Sequence, residues 1–235
     1  MTNKAVFARV SSPIFTWMVA GLTVVVIISN IGATKGITFG PIVTDGGFFL
    51  FPLAYIIGDV ISEVYGWRNS RRSVLITFVL SAFAAACFWI IIALPAAEWY
   101  DGQSALERTL GPVWLIVVAS LLGFASGQLL NALVLVKLKE RFGEQRLVTR
   151  VVGSSVVGQF VDTLVFCSIA ASVIGISDAP TFLNYLAVGF GFKLAVEIVF
   201  LPATVAAIKW VKRSEPSYGP ADQAHPDNSS PAPLP

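Results

Sequence analysis

A small set of ionisable and amide side chains lies inside stretches that are otherwise apolar, and these have chemistry to offer: Asn30, Asp59, Glu63, Gln128, Asn131, Gln159, Asp162, Lys193 and Glu197. Asp59 and Glu63 are four residues apart, which puts both on one helical face, one turn from each other. A carboxylate in hydrocarbon costs roughly 2.5–3.5 kcal/mol on insertion scales unless it faces a cavity or a partner. The two therefore point inward, towards something polar. Lys193 and Glu197 share the same spacing and suit an ion pair with each other. Four acids then stand against one base within the apolar segments. Protons or a positively charged ligand must make up the difference, and burial together with like-charge crowding favours protonation. Glu63 also lies near the end of its apolar run, where Arg68 or Arg72 would pair with it at the interface.

Gly127-Gln128-Leu129-Leu130-Asn131 is echoed by Gly158-Gln159-Phe160-Val161-Asp162. Both read G-Q-x-x-N/D, and in each the two polar residues share a helical face. Two antiparallel helices carrying this pattern can face each other. Ordinary interhelical hydrogen bonding beside small glycines would explain the amides equally well, though less readily the ionisable Asp162. Phe51, Tyr55 and Phe160 neighbour this polar set and offer walls for a flat ligand.

Those residues need elements to position them. The chain has 235 residues, 55% hydrophobic and 13% charged, against about 25% charged in a soluble domain. Six apolar segments of spanning length occur, at roughly 14–34, 48–65, 74–94, 112–136, 151–174 and 182–210. The pattern predicts an all-α polytopic membrane protein of six transmembrane helices over residues 1–213. The second span is short, contains Pro52 and follows the Gly/Pro-rich GITFGPIVTDGG, which predicts a broken or re-entrant approach. Thirteen of the sixteen Lys and Arg flank the same side of these spans, which places both termini in the cytoplasm. Residues 214–235, rich in proline and without an apolar run, read as a disordered tail. The 32–36 Gly-x-x-x-Gly spacing would permit close helix contact and hence a homodimer.

Other functions fit poorly. Cys87 and Cys167 lie in apolar runs as core residues, and the single histidine, His225, is in the tail; neither a metal set nor a cofactor motif is present. The basic stretch 137–150 flanks two spans and is a topology signal, so no nucleic-acid partner is expected. No phosphate loop or nucleophile elbow occurs. Asp59 and Asp162 on separate helices offer one enzymatic alternative, the shared-proton dyad of an intramembrane aspartyl protease, but its flanking motif is incomplete.

The stretch Phe51–Arg72, FPLAYIIGDVISEVYGWRNSRR, resembles the signature of the queuosine precursor transporter family, also called the vitamin uptake transporter family. Phe51, Pro52, Tyr55, Asp59, Glu63, Val64, Tyr65, Gly66 and Arg71 or Arg72 fall on its pattern. The similarity continues at Asn30, at Gly158-Gln159 with Asp162, and at Lys193. It implies a transporter, not an enzyme, in the bacterial inner membrane, importing the deazaguanine bases 7-cyano-7-deazaguanine and 7-aminomethyl-7-deazaguanine. Under that reading Asp162, Gln159 and Asp59 line the base site with Asn30, Gln128, Asn131, Tyr55 and Phe160. Glu63, Lys193 and Glu197 are then coupling or gating charges, with protons as the coupled ion. A carrier of another small heterocycle, or the substrate-binding subunit of an energy-coupling transporter, is the alternative.

Overall fold

The computed structural model describes residues 5–10, 12–39, 42–47, 50–111, 114–173 and 177–219. In chain order the elements are α1 (Pro13–Gly32), β1 (Gly36–Phe39), β2 (Ile42–Asp45), α2 (Phe51–Ala93), α3 (Gln103–Leu110), α4 (Trp114–Phe142), α5 (Leu147–Val173) and α6 (Ala179–Ser214). Five of these helices, all but the short α3, are long and apolar enough to cross a membrane. Local sequence sets their ends. Ser12 caps α1 by accepting from the Ile14 amide, with Pro13 opening the helix. Asp178 caps α6 by accepting from the Thr181 amide at 2.8 Å. Basic residues close α4 (Lys139, Arg141) and α6 (Lys212, Arg213), complementing the negative helix end.

The outside of the bundle is apolar, while the inside combines apolar clusters with many polar side chains. Trp17, Phe83, Trp89, Val199 and Trp210 are exposed, whereas Asp59, Glu63, Gln128, Asn131, Gln159 and Asp162 are buried. That inversion suits a solvent of lipid, in which exposed apolar surface carries no penalty and polar groups must be satisfied internally.

Two departures from the sequence reading stand out. The Gly/Pro-rich approach to α2 forms a two-stranded antiparallel hairpin, with Gly36 opposite Asp45 and Phe39 opposite Ile42. The Gly40-Pro41 turn signal lies outside the described residues. Gly36 therefore belongs to a strand, and Gly32 packs within its own chain: a Cβ there would lie 2.9 Å from the Gly46 carbonyl oxygen.

The second departure is that no loop separates the second and third apolar segments. Both belong to α2, broken at a single residue, Gly66, with φ 77° and ψ 178°. The chain folds back there, because Ser62 Oγ and Ser70 Oγ are 2.9 Å apart whereas eight residues of straight helix would separate them by about 12 Å. That backbone conformation is essentially reserved for glycine. The break orphans the carbonyls of the preceding turn, and side chains and the N-terminal segment satisfy them. Lys139 Nζ donates to Glu63 O at 2.6 Å, the Ala8 amide to Val64 O at 2.8 Å, and Asn69 Nδ2 to Tyr65 O at 3.0 Å. A tight reversal needs no loop once each exposed acceptor has a donor.

The C-terminal boundary also shifts. Glu215, assigned by composition to the tail, is buried, and Ser217 and Tyr218 hydrogen-bond back to the bundle. Arg9 N donates to Ser217 Oγ at 3.1 Å, and Ser12 bonds Glu215, so the two terminal segments meet at one end of the bundle. The rest of the expected tail, from residue 220, lies outside the described residues.

Replacing Gly66 by alanine forces a Cβ into this conformation, 3.1 Å from the Phe7 ring. The expected cost is about 1–3 kcal/mol, read as a lower melting temperature of the detergent-solubilised protein. An unchanged melting temperature would show that the reversal tolerates a side chain.

Candidate functional site

The site is built on one close helix crossing. A Cβ at Gly158 would stand 2.6 Å from Asn131 Cβ and 2.9 Å from the Gly127 carbonyl oxygen; one at Gly127 would stand 2.5 Å from Asp162 Cβ and 2.7 Å from the Gly158 carbonyl oxygen. The glycines of the G-Q-x-x-N/D echo thus face each other across α4 and α5, and each backbone lies against the partner helix's Asn or Asp. With the backbones this close, Asn131 turns to α2 and Asp162 to α6. Asn131 Nδ2 donates to Asp59 Oδ1 at 2.5 Å, and Asp162 Oδ2 accepts from Lys193 Nζ at 2.7 Å.

The polar side chains then sort into three tiers along α2, at Tyr55, Asp59 and Glu63, each about 6 Å further along the axis. The first tier borders a cavity of about 220 Å³ in the half of the bundle away from the termini. Val26, Asn30, Tyr55, Phe124, Asp162, Phe166 and Lys193 are among its lining residues. Tyr55 Oη donates to Asp162 Oδ2 at 2.6 Å, so Tyr55 and Lys193 share one carboxylate oxygen. Phe124 stands edge-on to Tyr55, with ring centroids 6.3 Å apart. The volume is below the roughly 300–1,000 Å³ of drug-sized sites and suits a small ligand.

The middle tier is buried except at Glu197, which is half-buried. Asp59 is held by Asn131, and Glu197 Oε2 accepts from Gln159 Nε2 at 2.7 Å. Gln128 lies over Gly58, where a Cβ would collide with its amide. Among the described residues, Gln128 Oε1 and Nε2, Asn131 Oδ1, Gln159 Oε1, Ser155 Oγ and Glu197 Oε1 have no hydrogen-bond partner.

The third tier closes the terminal end. Glu63, fully buried, pairs with Arg150, with Lys212 at 2.7 Å and with Lys139 at 3.5 Å. Glu144, in the turn between α4 and α5, accepts from Lys212 at 2.5 Å and from Tyr218 Oη at 2.8 Å. Partial burial opposes its ionisation, but the Lys212 hydrogen bond and the Lys139 charge outweigh this and hold the carboxyl at about 2.

The expected residues are therefore brought together in part. Asn30, Tyr55 and Asp162 line the cavity, joined by Lys193. Asp59, Gln128, Asn131, Gln159 and Glu197 form the tier below. Phe160, expected as a wall, is 43% exposed and stands edge-on to Phe190 on the outside of the bundle. Two residues of helix rotate it some 200° from Asp162, and Phe124 and Phe166 supply the walls instead. Lys193 pairs with Asp162 and not with Glu197, because the cross-helix carboxylate lies within reach at the α5–α6 contact. Glu63 meets neither Arg68 nor Arg72, which point outward; its partners Lys139, Arg150 and Lys212 look like topology charges in the sequence. Ser155 had one readable signal, its position one turn from Gln159.

Fold and site define a multi-pass helical membrane protein with a largely apolar cavity in its bundle, lined also by a few polar side chains. Residues 45–207 match the family described as "Putative vitamin uptake transporter". The chain belongs to that family, whose members are transporters and not enzymes. It is similar to the "Probable queuosine precursor transporter" of Bacillus subtilis (strain 168), 27% identical over 191 residues, covering 80% of this chain and 82% of that protein. No solved structure matches it.

Two outcomes test this geometry. Gly158→Val wedges α4 from α5 and costs about 1–3 kcal/mol or more, whereas Val157→Ala, on the outer face, stays within about 0.5 kcal/mol; equal melting temperatures would deny the close crossing. Glu144 has a folded-state pKa below its usual 4.5, so its stabilisation is complete above that value and fades as pH falls towards about 2. The melting-temperature gap between the wild type and Glu144→Gln should be constant above pH 4.5 and close below it. A gap independent of pH would remove the ionised Glu144 from the network.

Proposed function

We propose that the protein imports 7-deazaguanine bases, 7-cyano-7-deazaguanine and 7-aminomethyl-7-deazaguanine, across the bacterial inner membrane in a proton-linked reaction. The chain crosses six times with both termini cytoplasmic, the two arms of α2 counting as separate spans. The pairing of Arg9 and Ser12 with Ser217 and Glu215 supports termini on one side, and the Lys and Arg distribution supports the cytoplasm. The cavity then occupies the outer half of the bundle, and the Glu63 cluster seals the cytoplasmic half.

One observation carries the substrate reading: a single carboxylate, Asp162, stands in the cavity beside a lysine and aromatic rings. A deazaguanine presents a ring N–H and an exocyclic amine side by side, a donor pair that fits a carboxylate bidentately. Its carbonyl accepts from Lys193, its flat face meets Tyr55, Phe124 or Phe166, and Asn30 reaches its rim. Tyr55 and Lys193 both sit on Oδ2, so bidentate capture of the base requires that it displace one of these donors. The relative in Bacillus subtilis, named for queuosine precursors, supports the same ligand class.

The test is uptake of each base into cells that cannot synthesise queuosine, read as queuosine in their tRNA. The chain restores the modification, and Asp162→Asn loses about ten- to a hundredfold in uptake at limiting base, the worth of one charge-assisted hydrogen bond. Failure of the abundant, inserted wild-type chain to restore it would overturn the substrate assignment.

A further inference from the structure

The ion pairs divide the four carboxylates within the apolar segments, Asp59, Glu63, Asp162 and the half-buried Glu197, into two kinds. Asp162 has Lys193, and Glu63 has Arg150, Lys139 and Lys212. Among the described residues, neither Asp59 nor Glu197 has a cation within ion-pair distance; Asp59 receives an amide N–H from Asn131, and Glu197 one from Gln159, with the Ser155 hydroxyl beside it. An uncompensated carboxylate deep in a bilayer protein takes up a proton or a cation.

The surrounding atoms are short of the same thing. Each amide has spent an N–H on a carboxylate, leaving Asn131 Oδ1 and Gln159 Oε1 as buried acceptors without a donor; Glu197 Oε1 and Gln128 Oε1 bring the acceptors to four, against two unpartnered donor atoms, Gln128 Nε2 and Ser155 Oγ. Asn131, Gln128 and Gln159 are completely buried. An ionised carboxylate only accepts, whereas a protonated one also donates, so a proton here relieves both the charge and the excess of acceptors. A void of about 10 Å³ lined by Ser155 and Glu197 adjoins the site, close to the smallest space that holds one water.

The groups around the pair do not supply the missing charge. On α2, Tyr55 and Glu63 lie within electrostatic reach of Asp59, and Tyr55 also feels Glu197; Tyr55 is bound to Asp162 and Glu63 to its three cations. On α6, Lys193 is bound to Asp162, the titratable group that α5 presents nearby. α4 contributes only Gln128 and Asn131 at this level, and α1 carries no titratable side chain.

We propose that Asp59 and Glu197 together hold the coupled proton, at a site one helical turn below the base cavity and distinct from it. The proton binds from the side to which the cavity opens, neutralises the pair, and leaves towards the termini when that end opens; no covalent bond to the base is made or broken. The assignment rests on the proton-linked import proposed above. It separates Asp59 from the base-binding residues and Lys193 from the coupling charges.

The experiment uses the full chain in proteoliposomes, with labelled 7-cyano-7-deazaguanine as the neutral probe. Base exchange at equal pH is compared with net accumulation driven by an acidic exterior. A gradient of one pH unit supports up to about tenfold accumulation for one proton per base. The wild type shows both activities; Asp59→Asn and Glu197→Gln keep exchange but accumulate no base above equilibrium. The infrared carboxylic-acid band of the resting carrier, recorded without base at neutral pH, shrinks in each variant. Accumulation by both variants at the wild-type level would overturn the proposal. So would wild-type accumulation that follows a Na⁺ gradient and ignores pH, or loss of exchange in both variants at normal insertion, which would move the pair into the base site. If the wild type neither exchanges nor accumulates the base while the infrared band behaves as stated, the substrate reading fails and the proton site stands. If the band is absent and exchange persists, the proton site fails alone.

Discussion

The contact on which the rest depends is the glycine-mediated crossing of α4 and α5. In lipid no hydrophobic force drives helices together, so association relies on close packing and interhelical hydrogen bonds. Gly127 and Gly158 remove the side chains that would hold the backbones apart, and each backbone rests against the other helix's polar residue. The side chains one turn on are thereby turned outwards to α2 and α6. A near-symmetric pair of helices thus produces two unlike contacts: an amide on a carboxylate at Asn131–Asp59 and an ammonium on a carboxylate at Asp162–Lys193.

The cost of charge in a low-dielectric interior organises what is built on that crossing. A single face of α2, read at intervals of one turn, meets a cavity, then a carboxylate pair without a cation, then a fully compensated ion cluster. Each level has a different charge balance. At the cavity the balance is even, with Asp162 set against Lys193. At the terminal end Glu63 and Glu144 share three cations, and partner removal there would leave a buried charge unpaired, the costly case for buried ion pairs. The cluster also ties together α2, α4, α5, α6 and the segment after α6, which makes it a closure shared by most of the bundle.

The fold was largely legible in the sequence, since a helix in lipid satisfies its own backbone and must be long and apolar. The helical spans, the inward direction of Asp59, Glu63 and Asp162, and the facing glycine echo all follow from composition and a 3.6-residue period. The FPLAY…YG stretch carried the family, and the family carried the transporter class. What was not legible lies in the connections. The reversal at Gly66 depends on Asn69, four residues beyond the carbonyl it serves, and on donors from Lys139 and Ala8, which no sequence spacing brings to that turn. The packing of Glu215 against Ser12 and Tyr65 likewise depends on partners distant in the chain.

The same division applies to the site. By itself the sequence determined which side chains are too costly to leave in lipid, because burial of charge is a property of the residue and its span. Only the tertiary structure decided their partners. Lys193 is one turn from Glu197 on its own helix yet binds Asp162, because side chains on converging helices approach more closely than a helical turn allows. Lys139, Arg150 and Lys212 are indistinguishable in sequence from charges that orient a span, and become Glu63's partners only when three helix ends converge on one point. Phe160 loses its expected role for the converse reason: two residues from Asp162 in sequence is the opposite face of the helix in space.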